Sequence, residues 1–235
     1  MNVVVMQPYL FPYLGYFKLL EVADVFIFLD NVQYLRRGWM NRNYLVVEGV
    51  RKLVTLPVKK SPRDTLFKDI FIDSERYNVF RQNVMKCLAQ HENYNHSRAE
   101  LDILFPKDLK FKMLSEYAEA TVKHFAYYLD KKVYFYRASE LLDDSTSRNM
   151  SASQRILSLC RKVGAKRYIN LVGGASLYEE KEFSEAGIQL SFIDVEVSPE
   201  FLIEGGAMSV LDSFIRFSKQ DLINELKRYT VVKAE

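Results

Sequence analysis

Two stretches near the start of the chain concentrate side chains able to do chemistry. The first, Gln7 to Gly15, reads Q-P-Y-L-F-P-Y-L-G. Gln7 is a lone amide at the end of an otherwise apolar run, and Tyr9, Tyr13 and Tyr16 surround two prolines. Proline locks φ and removes a backbone donor, so this turn is stiff. Gly15 permits close approach to the helical turn that follows. The second stretch, Asp30 to Asn43, reads D-N-V-Q-Y-L-R-R-G-W-M-N-R-N. It sets Asp30, Gln33, Arg36, Arg37, Asn41, Arg42 and Asn43 around Trp39, the single tryptophan. An arginine fork matches phosphate or carboxylate, and an indole stacks on a base or a sugar. Asp30 is the best candidate general base, because a carboxylate at a strand end has its pKa raised by burial. The bland alternatives are an ordinary buried turn for the first stretch and a solvated basic loop around a core tryptophan for the second.

A third candidate is Asn170 to Tyr178, N-L-V-G-G-A-S-L-Y. A strand, the Gly173-Gly174 turn and a helix start would aim backbone N–H groups at an anion. It matches neither a Walker motif nor a dinucleotide fingerprint, and a plain turn explains it equally well. The three histidines do not make a metal site: His91 and His96 sit five apart, off one helix face, and His124 lies in a long helical run. Cys87 and Cys160 stand apart in apolar runs and form no C-x-x-C pair. No nucleophile-elbow motif is present, so hydrolase chemistry is not indicated. Most of the 15 Tyr and 16 Phe read as aromatic core.

These residues need elements to hold them. Val3–Met6 reads as a buried strand, Leu14–Val22 as a helix and Asp24–Asp30 as a second buried strand, which together make a βαβ unit. Both loops then leave carboxyl ends of parallel strands, where open α/β sheets bind ligands. Tyr44–Val47 and Arg51–Val58 form a hairpin around Glu48-Gly49, and Phe67–Ile72 alternates like a further strand. Residues 74–130 are helical and read as an insertion or cap. A strand at Val133–Arg137 precedes the polar loop Ser139–Met150. Ser151–Val163, Arg167–Leu171, Leu177–Ala186 and Ile188–Val195 alternate helix and strand, and the chain closes on helices Met208–Phe217 and Lys219–Tyr229. The expectation is a single α/β domain over 1–235: a mainly parallel, Rossmann-like sheet flanked by helices, with a small β-hairpin and a helical cap.

Bulk composition sets the class. At 235 residues, 49% hydrophobic and 27% charged, the chain builds an ordinary core. A net charge of +3 is too small to imply nucleic acid. The start carries no basic leader, no apolar run reaches membrane-spanning length, and free thiols suit a reducing compartment, so a cytoplasmic location is expected. Oligomeric state is not written in these features.

The motifs M-Q-P-Y-L-F-P-Y-L-G-Y-F and D-N-V-Q-Y-L-R-R-G-W-M-N-R-N resemble the WbqC-like family. Pro8, Pro12, Tyr16 and Phe17, then Asn41, Arg42 and Asn43, carry the resemblance. Leu53–Val58 and the closing M-S-V-L-D-S-F-I from Met208 to Ile215 support it. The resemblance implies O-antigen and related surface-glycan biosynthesis. It points to a transferase or ligase, with glycine or another acyl group passed to an amino sugar. A more distant likeness links the opening strand, its turn and A-D-V-F-I-F-L-D-N-V-Q-Y to pantothenate synthetase and other HIGH-motif nucleotidyltransferases. Tyr16 there takes the place of the second histidine. On this reading Asp30, Gln7 and Tyr16 are the catalytic candidates. Tyr9, Gln33, Arg37, Trp39, Asn41, Arg42, Asn43, Gly173 and Gly174 are the substrate-binding ones. The partner is a nucleotide-linked amino sugar or an amino acid, and ATP with magnesium is the cofactor an adenylating version would use. The alternatives are a nucleotidyltransferase using ATP or CTP, and a non-catalytic nucleotide-sugar-binding module.

Overall fold

The structure, a computed structural model, describes residues 1–233. Its centre is a six-stranded sheet. Strands β1 (Asn2–Met6) and β2 (Val25–Phe28) are joined by helix α1 (Leu14–Val22). Their apolar residues alternate between two layers. Val3, Val5, Val25 and Ile27 face one core, and Val4, Phe26 and Phe28 face the other. A strand buried on both faces reads as a continuous apolar run, which is why the period-two signal is absent here.

The hairpin β3 (Arg42–Val47) and β4 (Val50–Thr55) stands outside the sheet, turning through Glu48 and Gly49 with positive φ. Helices α2 (Ser74–Leu88), α3 (Tyr94–Leu104) and α4 (Leu114–Tyr128) follow and bury Tyr77, Leu101, Tyr117 and Phe125 on the Phe26–Phe28 side. Next come β5 (Tyr134–Arg137), α5 (Ala138–Leu141), α6 (Asp144–Arg148), α7 (Ala152–Lys162), β6 (Arg167–Leu171), α8 (Glu180–Glu185) and β7 (Gln189–Val195). A two-residue hairpin, β8 (Leu202–Ile203) and β9 (Gly206–Ala207), precedes α9 (Val210–Arg216), α10 (Lys219–Leu226) and β10 (Tyr229–Lys233).

The sheet order is β10-β7-β6-β1-β2-β5, parallel except for β10. The expected mainly parallel α/β sheet is therefore present. The chain winds outward from β1 through β2 to β5, then returns to the other side of β1 for β6 and β7. That reversal creates a topological switch point between β1 and β6. The pairing there is short: only Asn2 with Arg167 and Val3 with Tyr168, against four residue pairs between β1 and β2. The strands part toward their carboxyl ends and leave room for a crevice.

Three local expectations change. Phe67–Ile72 is not a strand: Phe67–Asp69 forms a 3-10 turn, and only isolated bridges Val58–Ile72 and Phe71–Met113 follow. Phe67, Ile70 and Ile72 are buried while Phe71 is exposed, so the burial does not alternate from Phe67 onward. The last helix stops at Leu226, and Tyr229–Lys233 instead pairs antiparallel with β7. β-branched Thr230, Val231 and Val232 favour that edge strand over a helical end. The polar segment Ser139–Met150 contains two short helical turns, α5 and α6, rather than open loop.

Candidate functional site

A cleft of about 620 Å³ opens over the carboxyl end of β1. Met6 and Gln7 leave β1 into it. Tyr9 and Tyr13 come from the proline turn, and Leu35, Gly38, Trp39 and Met40 from the loop after β2. Asn43 and Arg51 come from the β3–β4 hairpin, and Ala207 and Ser209 from the approach to α9. Four of the sequence candidates, Gln7, Tyr9, Trp39 and Asn43, thus share one cavity.

Their partners divide them into scaffold and free groups. Asn43 is spent. Its Nδ2 donates to the carbonyls of Leu10 (2.9 Å) and Phe11 (2.7 Å), and its Oδ1 accepts from the Tyr44 amide. It staples the hairpin to the proline turn where Phe11 takes a positive φ of 50°, a conformation that costs an ordinary residue energy. Arg51 donates to the Gly205 carbonyl and lies 4.3 Å over the Tyr44 ring, tying one hairpin to the other. Ser209 Oγ donates to Asp212 and accepts from its amide, capping α9. The Gln7 amide, the Tyr13 hydroxyl and the Trp39 indole N–H make no hydrogen bond among the described residues. Burial raises the pKa of Tyr9 and Tyr13, so both phenols stay neutral donors. Gly15 serves this wall: a Cβ there would overlap the Tyr13 ring.

Arg37, Asn41 and Arg42 line a second pocket of about 490 Å³, with Tyr34, Arg36, Lys59, Lys60 and Ser61. Among the described residues no carboxylate lines it. Arg42 forms the partition between the two cavities. It donates to the Gly38 (3.0 Å) and Arg37 carbonyls, and its guanidinium sits 5.7 Å from the Trp39 ring. This clamp holds the turn where Arg37 has φ of 62°. Asn41 Nδ2 donates to the Leu56 carbonyl at 2.9 Å and is buried.

The remaining candidates lie elsewhere. Asp30 is 1% exposed and accepts from the Ser139 amide (2.9 Å) and hydroxyl (2.5 Å), holding the start of α5. Burial raises its pKa, and the Ser139 bonds and nearby Arg137 oppose that. Tyr16 is fully buried, with its hydroxyl 3.3 Å from the Gln7 carbonyl and its ring edge-on to Tyr9 at 5.4 Å. It supports the cleft from below. Gln33 is exposed and donates to the Arg63 carbonyl. Gly173 and Gly174 lie in a 3-10 turn at the carboxyl end of β6, on the same sheet edge as Gln7 but outside both cavities. Sequence reasoning missed Arg51, Ala207 and Ser209, which reach the cleft only through tertiary contact.

Fold and site together define a Rossmann-like α/β protein with an aromatic cleft beside the switch point of its sheet. The chain belongs to the WbqC-like protein family, whose model matches residues 7–222. A curated relative, Uncharacterized protein Rv1507c of Mycobacterium tuberculosis, is 25% identical over 223 residues, covering 90% of this chain and 91% of that protein. No solved structure gives a significant match. No helix of the described residues is long and apolar enough to cross a membrane.

Proposed function

We propose that the protein transfers an acyl or aminoacyl group, such as glycyl, to the amine of a nucleotide-linked amino sugar. Membership of the WbqC-like family is consistent with a role in O-antigen biosynthesis. The observation that carries the reading is the pairing of two cavities across one wall. The aromatic cleft offers unspent Gln7, Tyr13 and Trp39 groups, which suits a sugar. The basic pocket offers Arg37, Lys59 and Lys60, which suits a diphosphate.

Among the described residues the cleft lining contains no carboxylate, imidazole or thiol, so positioning rather than acid–base chemistry carries the rate. The neutral sugar amine attacks the acyl carbon, the bond to the leaving group breaks with its electron pair, and the amine proton passes to that group or to water. Tyr9 and Tyr13, kept protonated, donate to the oxyanion as it forms. Mg²⁺ takes carboxylate and phosphate oxygens, and among the described residues neither cavity lining presents a carboxylate. The donor therefore arrives already activated.

The single tryptophan makes binding directly readable. A UDP-linked amino sugar should quench or shift Trp39 fluorescence. Arg37→Ala should weaken that ligand about ten- to hundredfold, the worth of one charge-assisted contact, with melting temperature unchanged. Product formation with a thioester donor, and none with ATP, Mg²⁺ and free glycine, is the expected pattern. Equal affinity for the free sugar and its nucleotide form would overturn the two-cavity reading.

A further inference from the structure

Charge is very unevenly placed along this chain. Between Asn31 and Arg63 there are eight arginines and lysines and one acid, Glu48, a net charge of +7. The whole chain carries +3, so the other 202 residues carry −4. None of those eight cations has a carboxylate within ion-pair distance among the described residues, whereas lysines and arginines elsewhere, such as Lys18, Arg81 and Arg137, are paired. Five of the eight, Arg36, Arg37, Arg42, Lys59 and Lys60, converge on one pocket.

Apolar side chains project from the same loop. Leu35 is 56% exposed and Trp39 49% exposed. They flank the Arg36–Arg37 turn, with Arg42 stacked on the indole. A soluble nucleotide sugar would use the indole and the pocket cations, but it leaves the outward Leu35 and the exposed Arg63, which lines neither cavity, without a role. An anionic bilayer uses both. Lysine and arginine are drawn to its surface potential, tryptophan settles at the headgroup level, and weak apolar insertion adds to the electrostatic term.

We infer that the exposed surface of segment 35–63 docks on an anionic membrane, with Leu35 and Trp39 entering the headgroup region beside cations that have no carboxylate partner among the described residues. The cleft mouth, which shares Leu35 and Trp39 with this face, then opens toward the bilayer. This inference stands on charge placement and exposure and does not depend on the transfer chemistry.

The test is sedimentation of the full chain with vesicles of phosphatidylcholine alone and of phosphatidylcholine with phosphatidylglycerol. Binding to the anionic vesicles only, a blue shift of Trp39 emission on binding, and release by salt are expected. Each surface charge near such a membrane contributes roughly fivefold in affinity. The exposed-side-chain variant Lys59→Gln/Lys60→Gln/Arg63→Gln should therefore lose on the order of a hundredfold, with an unchanged melting temperature. Leu35→Glu should abolish the blue shift. Binding to neutral vesicles as strong as to anionic ones, or no binding to either, overturns the proposal. So does retention of vesicle binding by the triple variant. Tighter binding to single-stranded oligonucleotide than to anionic vesicles, lost in the same variant, reassigns the face to nucleic acid.

Discussion

The Arg51 guanidinium bonds the carbonyl of Gly205 while lying 4.3 Å over the ring of Tyr44. Tyr44 in turn meets Trp39 at 5.7 Å, and the Arg42 guanidinium lies 5.7 Å from the Trp39 ring. Two adjoining rings are thus flanked by a cation at each end, and a Cβ at Gly205, whose φ is +91°, would push the Arg51 guanidinium aside. Arg51→Leu should release the β8–β9 hairpin from the rim. Cation–π and hydrogen-bond losses of this kind are worth roughly 1–2 kcal/mol. The expected result is about tenfold weaker ligand binding by calorimetry and faster amide exchange at Gly205 and Gly206. Unchanged exchange would show that the hairpin is held by something else.

Asp30 provides a clean separation of catalysis from capping. Its carboxylate is occupied by Ser139 and lies outside the cleft. Asp30→Ala should cost about 1–2 kcal/mol in urea unfolding, the usual loss for a helix-start cap, while affinity for the cleft ligand stays within a factor of two or so. Lost turnover at full stability would instead restore Asp30 as the base.

Asp212 gives a signed pH dependence. Burial raises its pKa from 3.8 to about 6, against the opposing bonds from the Val46 amide and Ser209. The folded state thus holds this proton more tightly than the unfolded chain. The stability it contributes is fully present below pH 3.8 and is lost as pH rises through about 6. The loss is roughly 3 kcal/mol at the usual conversion. Asp212→Asn stays neutral throughout, and its Oδ1 can still accept from Val46. Its unfolding free energy should vary less across that window than the wild type's, as read by denaturant midpoints at several pH values. Parallel profiles would place the burial cost elsewhere.

Lys18 is fully buried and bonds Glu225 at 2.7 Å, together with the carbonyls of Glu196 and Arg228. Glu225 also accepts from Ser198. This cluster locks α10 against α1. Lys18→Met leaves the Glu225 carboxylate in the core with the half-exposed Arg228, at 3.7 Å, as its one remaining cation among the described residues, and should cost about 3–5 kcal/mol. Adding Glu225→Gln should recover a part of that. If the single variant unfolds at the wild-type urea concentration, the ion pair carries no net stability.

The two N-terminal motifs were legible because each is local. A lone glutamine closing an apolar strand, and amides and arginines around one tryptophan, mark loops whose polar groups need partners. The continuous apolar runs Val3–Met6 and Val25–Phe28 announced a doubly covered parallel sheet, since only such strands bury both faces. Family membership was legible in the same two motifs.

What a side chain does once the chain has folded was not local. Asn43 and Arg42 look like ligand groups in sequence, yet their donors hold carbonyls at Leu10, Phe11, Arg37 and Gly38, backbone acceptors left open by two positive-φ turns. Asp30 looks like a free base, yet Ser139, 109 residues away, meets both its oxygens. The cleft needs Arg51, Ala207 and Ser209, and no period or motif near Gln7 can specify them. Composition and periodicity determine which segments bury which face. Which polar groups remain unspent depends on who arrives from distant parts of the chain, and only the packed tertiary structure decides that.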